Sequence, residues 1–145
     1  MDSLTLRSAA SDDSEFAFRV KEAAFRPYVE KVWGWDEAEQ RRVHEERFAA
    51  QDFRVISVAG TDVGIMAAVV APDCLKVNQL FILPGHQAKG IGSACMRLIM
   101  DEARQLGLPV RLRVLKVNPR ARAFYERLGF VRTGQTDTHN LMEWG

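Results

Sequence analysis

Residues 83–94, LPGHQAKGIGSA, constrain the fold more than any other stretch of the chain. On their amino side the β-rich run Leu75–Leu83 is expected to be a strand, ended by Pro84-Gly85. On their carboxyl side Ile91, Ala94, Cys95, Leu98, Ile99, Ala103 and Leu106 recur at helical spacing, with Gly107 at the stop position. Residues 90–106 are therefore the strongest helix in the sequence. A strand, a turn carrying Gly90 and Gly92, and a helix start together make an anion site. The first amides of a helix lack intrahelical partners, and its dipole favours negative charge there.

The remaining segments follow the same rules. Thr5–Arg7 reads as a short strand, and Asp12 with Glu15 three residues on reads as a capping box opening a helix over 13–29. Pro27 lies near its end. A second helix is expected over 36–50, beginning at Asp36; its apolar stripe is thin, as suits a helix lying over a cleft. Phe53–Ala59 and Val63–Val70 form a hairpin signal across Gly60-Thr61-Asp62. Pro109–Val117 is a strand, and Asn118 caps a helix that has Pro119 at its first position and Gly129 at its end. Phe130–Thr133 and Thr138–Trp144 close the chain as strands. The order β-α-α-β-β-β-α-β-α-β-β is that of an α/β chain, and residues 1–145 are long enough for one domain.

Charge and composition exclude several classes. A net charge of +1 argues against a nucleic-acid binder. No apolar run approaches the roughly 20 residues that span a bilayer, so no membrane partner is expected. The opening MDSLTLRSAASDDSE lacks the apolar centre of a signal peptide, and Cys74 and Cys95 form neither a CxxC pair nor a disulfide framework. A cytoplasmic protein without a metal site, monomeric or homodimeric, is the expectation. The charge is unevenly spread. Residues 1–52 hold twelve acidic and eight basic side chains, whereas 111–132 hold six Arg, one Lys and a single acid, Glu126. The second stretch could steer an anion, and the first hints at a cationic acceptor.

Two phosphate-loop spellings fail at the glycine turn. A dinucleotide fingerprint would need glycine where Cys95 stands, and a Walker A loop from Gly85 would need lysine at Ile91. The pattern Gln87-x-x-Gly90-x-Gly92 fits another family. With the preceding strand and the segment NPRARAFYERLGF, matching at Asn118, Ala121, Tyr125, Gly129 and Phe130, the chain resembles the GCN5-related N-acetyltransferases. The resemblance spans essentially the whole chain. It implies a single-domain fold with a mixed, mostly antiparallel central sheet flanked by helices, and transfer of an acetyl group from acetyl-CoA to an amine acceptor.

The resemblance also implies roles. Gln87, Ala88, Lys89, Gly90, Ile91, Gly92 and Ser93 would wrap the cofactor's pyrophosphate. Leu80, Phe81 and Ile82 would pair with the pantetheine arm, one of their amides polarising the thioester carbonyl. The strands 75–83 and 110–117 would splay to admit that arm. Asn118 would contact it, and Tyr125 would protonate the leaving thiolate. Tyr28, Trp33, Trp35, Asp36 and His44 fall in the region that walls the acceptor pocket. One departure stands out: many relatives carry glutamate in the strand before the turn, where this chain has Asn78 and Gln79. Neither takes a proton at neutral pH. The base is left to Glu30, Asp36 or His44, to a water wire, or to a substrate arriving neutral. His86 reads as an anion neighbour and His139 as a strand-surface residue. Loss of the carboxylate also keeps open a non-catalytic acyl-CoA-binding sensor. A mononucleotide-binding protein is the weaker third reading.

Overall fold

The computed structural model describes residues 3–145. Its elements follow the expected order: β1 (Leu4–Ser8), α1 (Ser14–Val32), α2 (Glu37–Ala50), β2 (Asp52–Val58), β3 (Thr61–Val70), β4 (Leu75–Ile82), α3 (Ile91–Leu106), β5 (Val110–Leu115), α4 (Pro119–Arg127), β6 (Val131–Gln135) and β7 (His139–Trp144). The strands form one sheet, ordered β1-β2-β3-β4-β5-β7-β6. Every neighbouring pair is antiparallel except β4 and β5.

Each face of the sheet buries a helical stripe. Cys95, Met96, Ile99 and Ala103 of α3 are sealed against Val63, Leu75, Val110 and Met142. On the other face Ala17 and Val20 of α1 meet Phe53, Ile65 and Ala67. Burial of the larger of these side chains, Met96, Ile99, Val20, Phe53 and Ile65 among them, contributes about 1.5–3 kcal/mol each, which fixes both layers on the sheet.

Two local expectations are corrected. Asp12 and Glu15 make no capping box. A 3-10 turn, Ser11–Asp13, precedes α1, and Asp13 instead accepts a hydrogen bond from the Ala10 amide at 2.8 Å and pairs with Arg7. Glu15 turns outward to Arg41. In the hairpin the turn residues are Ala59 and Gly60, both at positive φ (51° and 83°), because a two-residue turn of that hand matches strand twist.

The feature that makes room for a site is the parting of β4 from β5. They pair only at Leu75↔Val110 and Lys76↔Arg111. Just beyond, Ala68 faces Val77 while Ala67 faces Gln79, so Asn78 is the extra residue of a β-bulge. A bulge bends its strand and increases the local twist. Here it coincides with the divergence of β4 from its parallel neighbour, as the resemblance implied.

Candidate active site

The gap opens into a cleft of about 1040 Å³ whose walls come from α1, α2, β4, β5, the start of α3, α4 and β7. At one end stands the glycine turn. Ala88 (φ 60°) and Gly90 (φ 80°) both take left-handed conformations, which cost an L-residue about 1–2 kcal/mol and glycine almost nothing. Gly90 is the N-cap of α3 and supplies no capping side chain. The first helical bond runs from the Ala94 amide to the Gly90 carbonyl at 3.1 Å. The amides of Ile91, Gly92 and Ser93 therefore face the cleft's end without an intrahelical acceptor.

Glycine at 92 has a second cause. A Cβ there would stand 3.3 Å from Cζ of Phe124, so the missing side chain lets α3 and α4 close on one another. Gln87 does not point its side chain at the turn's concavity; its Nε2 donates to the Ile82 carbonyl at 2.9 Å and ties the turn to β4. Lys89 is exposed and lies outside the cleft lining.

That bond also orients β4. The Leu83 amide donates to Val63 of β3 at 2.8 Å. Backbone groups alternate sides along a strand, so Phe81 shares this β3-facing direction, and Leu80 and Ile82 face the gap. All three residues expected to serve an extended ligand line the cleft, Leu80 and Ile82 with their backbone toward the gap and Phe81 with its amide toward β3. Its ring packs on Phe25 with centroids 4.8 Å apart.

Tyr125 lines the cleft from α4, buried with its ring edge-on to Phe124 and Phe130. Burial pushes the phenol above its ordinary value, so it stays protonated throughout the neutral range. Among the described residues no side chain or backbone group is hydrogen-bonded to its hydroxyl. Asn118, also on the lining, caps α4 by accepting from the Ala121 amide at 3.2 Å. Asn118→Ala should therefore lower stability by about 1 kcal/mol, read as a fall in denaturant midpoint at unchanged m-value.

The acceptor-side expectations divide. Tyr28 and Trp33 line the cleft. Trp35 does not: its ring lies 6.2 Å from Phe18 and its indole N–H donates to Glu37 at 2.9 Å. Asp36 is spent as the N-cap of α2, accepting from the Glu39 amide at 3.0 Å. His44 is a core residue, enclosed by Phe18, Phe48 and Phe53, with Nε2 2.9 Å from the Ser14 carbonyl. Burial lowers its pKa, and it is outside the lining. Glu30, another expected base, is held by Arg26 at 2.7 Å away from the cleft.

Other groups on the lining escaped sequence reasoning. His139 is half-buried there, its Nδ1 2.8 Å from the Thr138 hydroxyl and its ring 6.2 Å from that of Trp33. Desolvation, helped by the charge of Arg113, lowers its pKa. Lys21 of α1 and Gln79 of β4 are both buried polar residues facing the cleft. Lys21 had a visible signal: it sits in the apolar stripe with Ala17 and Val20, where a solvated lysine has no place. Of the arginines at 111–132, Arg113, Arg120 and Arg127 line the cleft, while Arg111 is occupied by Asp73 and Glu143.

Known proteins share this fold. The PaiA N-acetyltransferase of Thermoplasma acidophilum, solved with coenzyme A, superposes with a TM-score of 0.80 at 16% identity, covering 97% of this chain and 98% of that one. The ribosomal-protein-S18-alanine N-acetyltransferase of Escherichia coli gives 0.73 at 20% identity, covering 97% and 92%. At such identities the likeness is one of fold. In sequence, the streptothricin acetyltransferase of Streptomyces lavendulae is 39% identical over 61 residues, 41% of this chain. The chain spans about a third (32%) of that relative's length. Residues 16–130 match the model of the acetyltransferase (GNAT) family, and the chain belongs to that family.

Proposed function

We propose that residues 1–145 act as one acetyltransferase domain that moves an acetyl group from acetyl-CoA to a primary amine by direct attack in a ternary complex. The observation that carries this reading is the convergence, on one cleft, of unpaired helix amides, a free strand edge and a protonated tyrosine. The amides of Ile91, Gly92 and Ser93 suit a diphosphate. Arg113, Arg120 and Arg127 add positive charge along the way in. The gap-facing backbone of Leu80 and Ile82 suits an extended arm that carries amides of its own. One preorganised amide on a developing oxyanion is worth about 3 kcal/mol of barrier.

In the transfer, the amine nitrogen bonds to the thioester carbon, the carbon–sulfur bond breaks, and the departing thiolate takes the Tyr125 proton. We assign removal of the amine proton to His139, whose lowered pKa keeps the ring neutral and able to accept one. Tyr28 and Trp33 would wall the acceptor. Coenzyme A thiol release with a panel of amines tests the activity. The base assignment predicts that His139→Gln removes the acidic limb of the kcat/KM profile, a limb lying below the ordinary imidazole value. A wild-type profile unchanged by that substitution would return the proton to solvent.

The second reading, an acyl-CoA sensor, is favoured by Asn78 and Gln79 standing where many relatives carry glutamate, since an amide takes no proton. Acetyl-CoA binding with no thiol release on any acceptor would establish it.

A further inference from the structure

The wall formed by α1 and α2 carries two cations that the fold leaves uncompensated. Lys21 is only 3% exposed and lines the cleft; Arg47, one helix away, lines it from the exposed rim. Among the described residues neither has a carboxylate within ion-pairing distance. Most other cations of this segment are differently placed: Arg7, Arg19, Arg26, Arg41 and Arg42 each hold an acidic partner, and Lys31 lies over the Tyr28 ring at 5.7 Å. Glu39, the carboxylate on this wall, is itself held by Arg42. The acidic excess of residues 1–52 is thus largely spent on ion pairs, and Glu39 is its one carboxylate residue on the cleft lining among the described residues.

A buried ammonium without a counter-charge costs several kcal/mol. Burial first, and the charge of Arg47 second, push the Lys21 ammonium down to about 8. Such an arrangement is sustained when the ligand brings the missing charge. The lining carries a complementary group in Gln79, whose buried Oε1 has no hydrogen-bond donor. An acceptor oxygen there calls for an N–H. The paired rings of Phe25 and Phe81 give the same part of the cleft an apolar surface.

We propose that the acceptor is a carboxylated amine of amino-acid type, its carboxylate received by Lys21 and Arg47 and its amine by the Gln79 carbonyl. This rests on the acetyltransferase reading above and names its substrate class. It is tested by calorimetry on the protein saturated with coenzyme A, using the common α-amino acids, each paired with its carboxamide. At least one acid is expected to bind about 10-fold tighter than its carboxamide. Lys21→Met, which keeps the stem and removes the buried charge, should erase that preference, and Arg47→Gln should weaken it, with coenzyme A affinity unchanged in both. The proposal is overturned if no acid outbinds its carboxamide, or if the preference persists in both variants. Thiol release on the same pairs separates the two claims. Selective binding without release, on these pairs and on the wider amine panel, would retire the transferase reading and leave the carboxylate site standing.

Discussion

Gly90→Glu is expected to abolish acetyl-CoA binding while leaving the protein folded. The residue holds φ at 80°, where a side chain costs about 1–2 kcal/mol. The larger effect is electrostatic. A carboxylate about 4 Å from a phosphate charge near the protein surface is repelled by about 4 kcal/mol. The repulsion alone predicts a loss of affinity of about 10³-fold by calorimetry. Gly90→Ala separates the two contributions, since it carries the strain alone and should lose only about 10-fold. If the glutamate variant bound acetyl-CoA as the wild type does, the helix amides would not be the diphosphate site.

Tyr125→Phe should have the opposite signature. The ring remains between Phe124 and Phe130, so packing and stability are kept. Only the hydroxyl is removed, and no hydrogen bond to a described residue is lost with it. With a general-acid contribution of about 10²-fold or more, kcat should fall by that factor while acetyl-CoA affinity changes little. Equal kcat in the two proteins would make Tyr125 a packing residue.

The element order was legible because each element is encoded in its own segment. Val110–Leu115 alternates, Ile91–Leu106 repeats at helical spacing, and Asn118-Pro119 starts a helix by local chemistry alone. The glycine turn was legible for the same reason. What failed depends on which surface a face meets. Asp36, Gln40 and His44 share a spacing on α2, yet only Gln40 reaches the cleft; His44 faces Phe18 of α1, and Asp36 is consumed by its own helix end. Nothing in residues 36–44 records that α1 crosses there. The bulge at Asn78 was invisible likewise, because it exists only relative to β3, and it decides which of residues 79–82 turn toward the gap. Lys21 is ambiguous in sequence because its polarity says surface while its position says core.

The gap between β4 and β5 also bears on solubility. Two strand edges lie bare in the middle of a sheet, and bare edges recruit strands from other molecules. Charged side chains are a common guard against such stacking, and here Lys76 and Arg113 stand at that opening. Neutralising Lys76 to hasten crystallisation or raise expression would therefore risk aggregates nucleated at this opening.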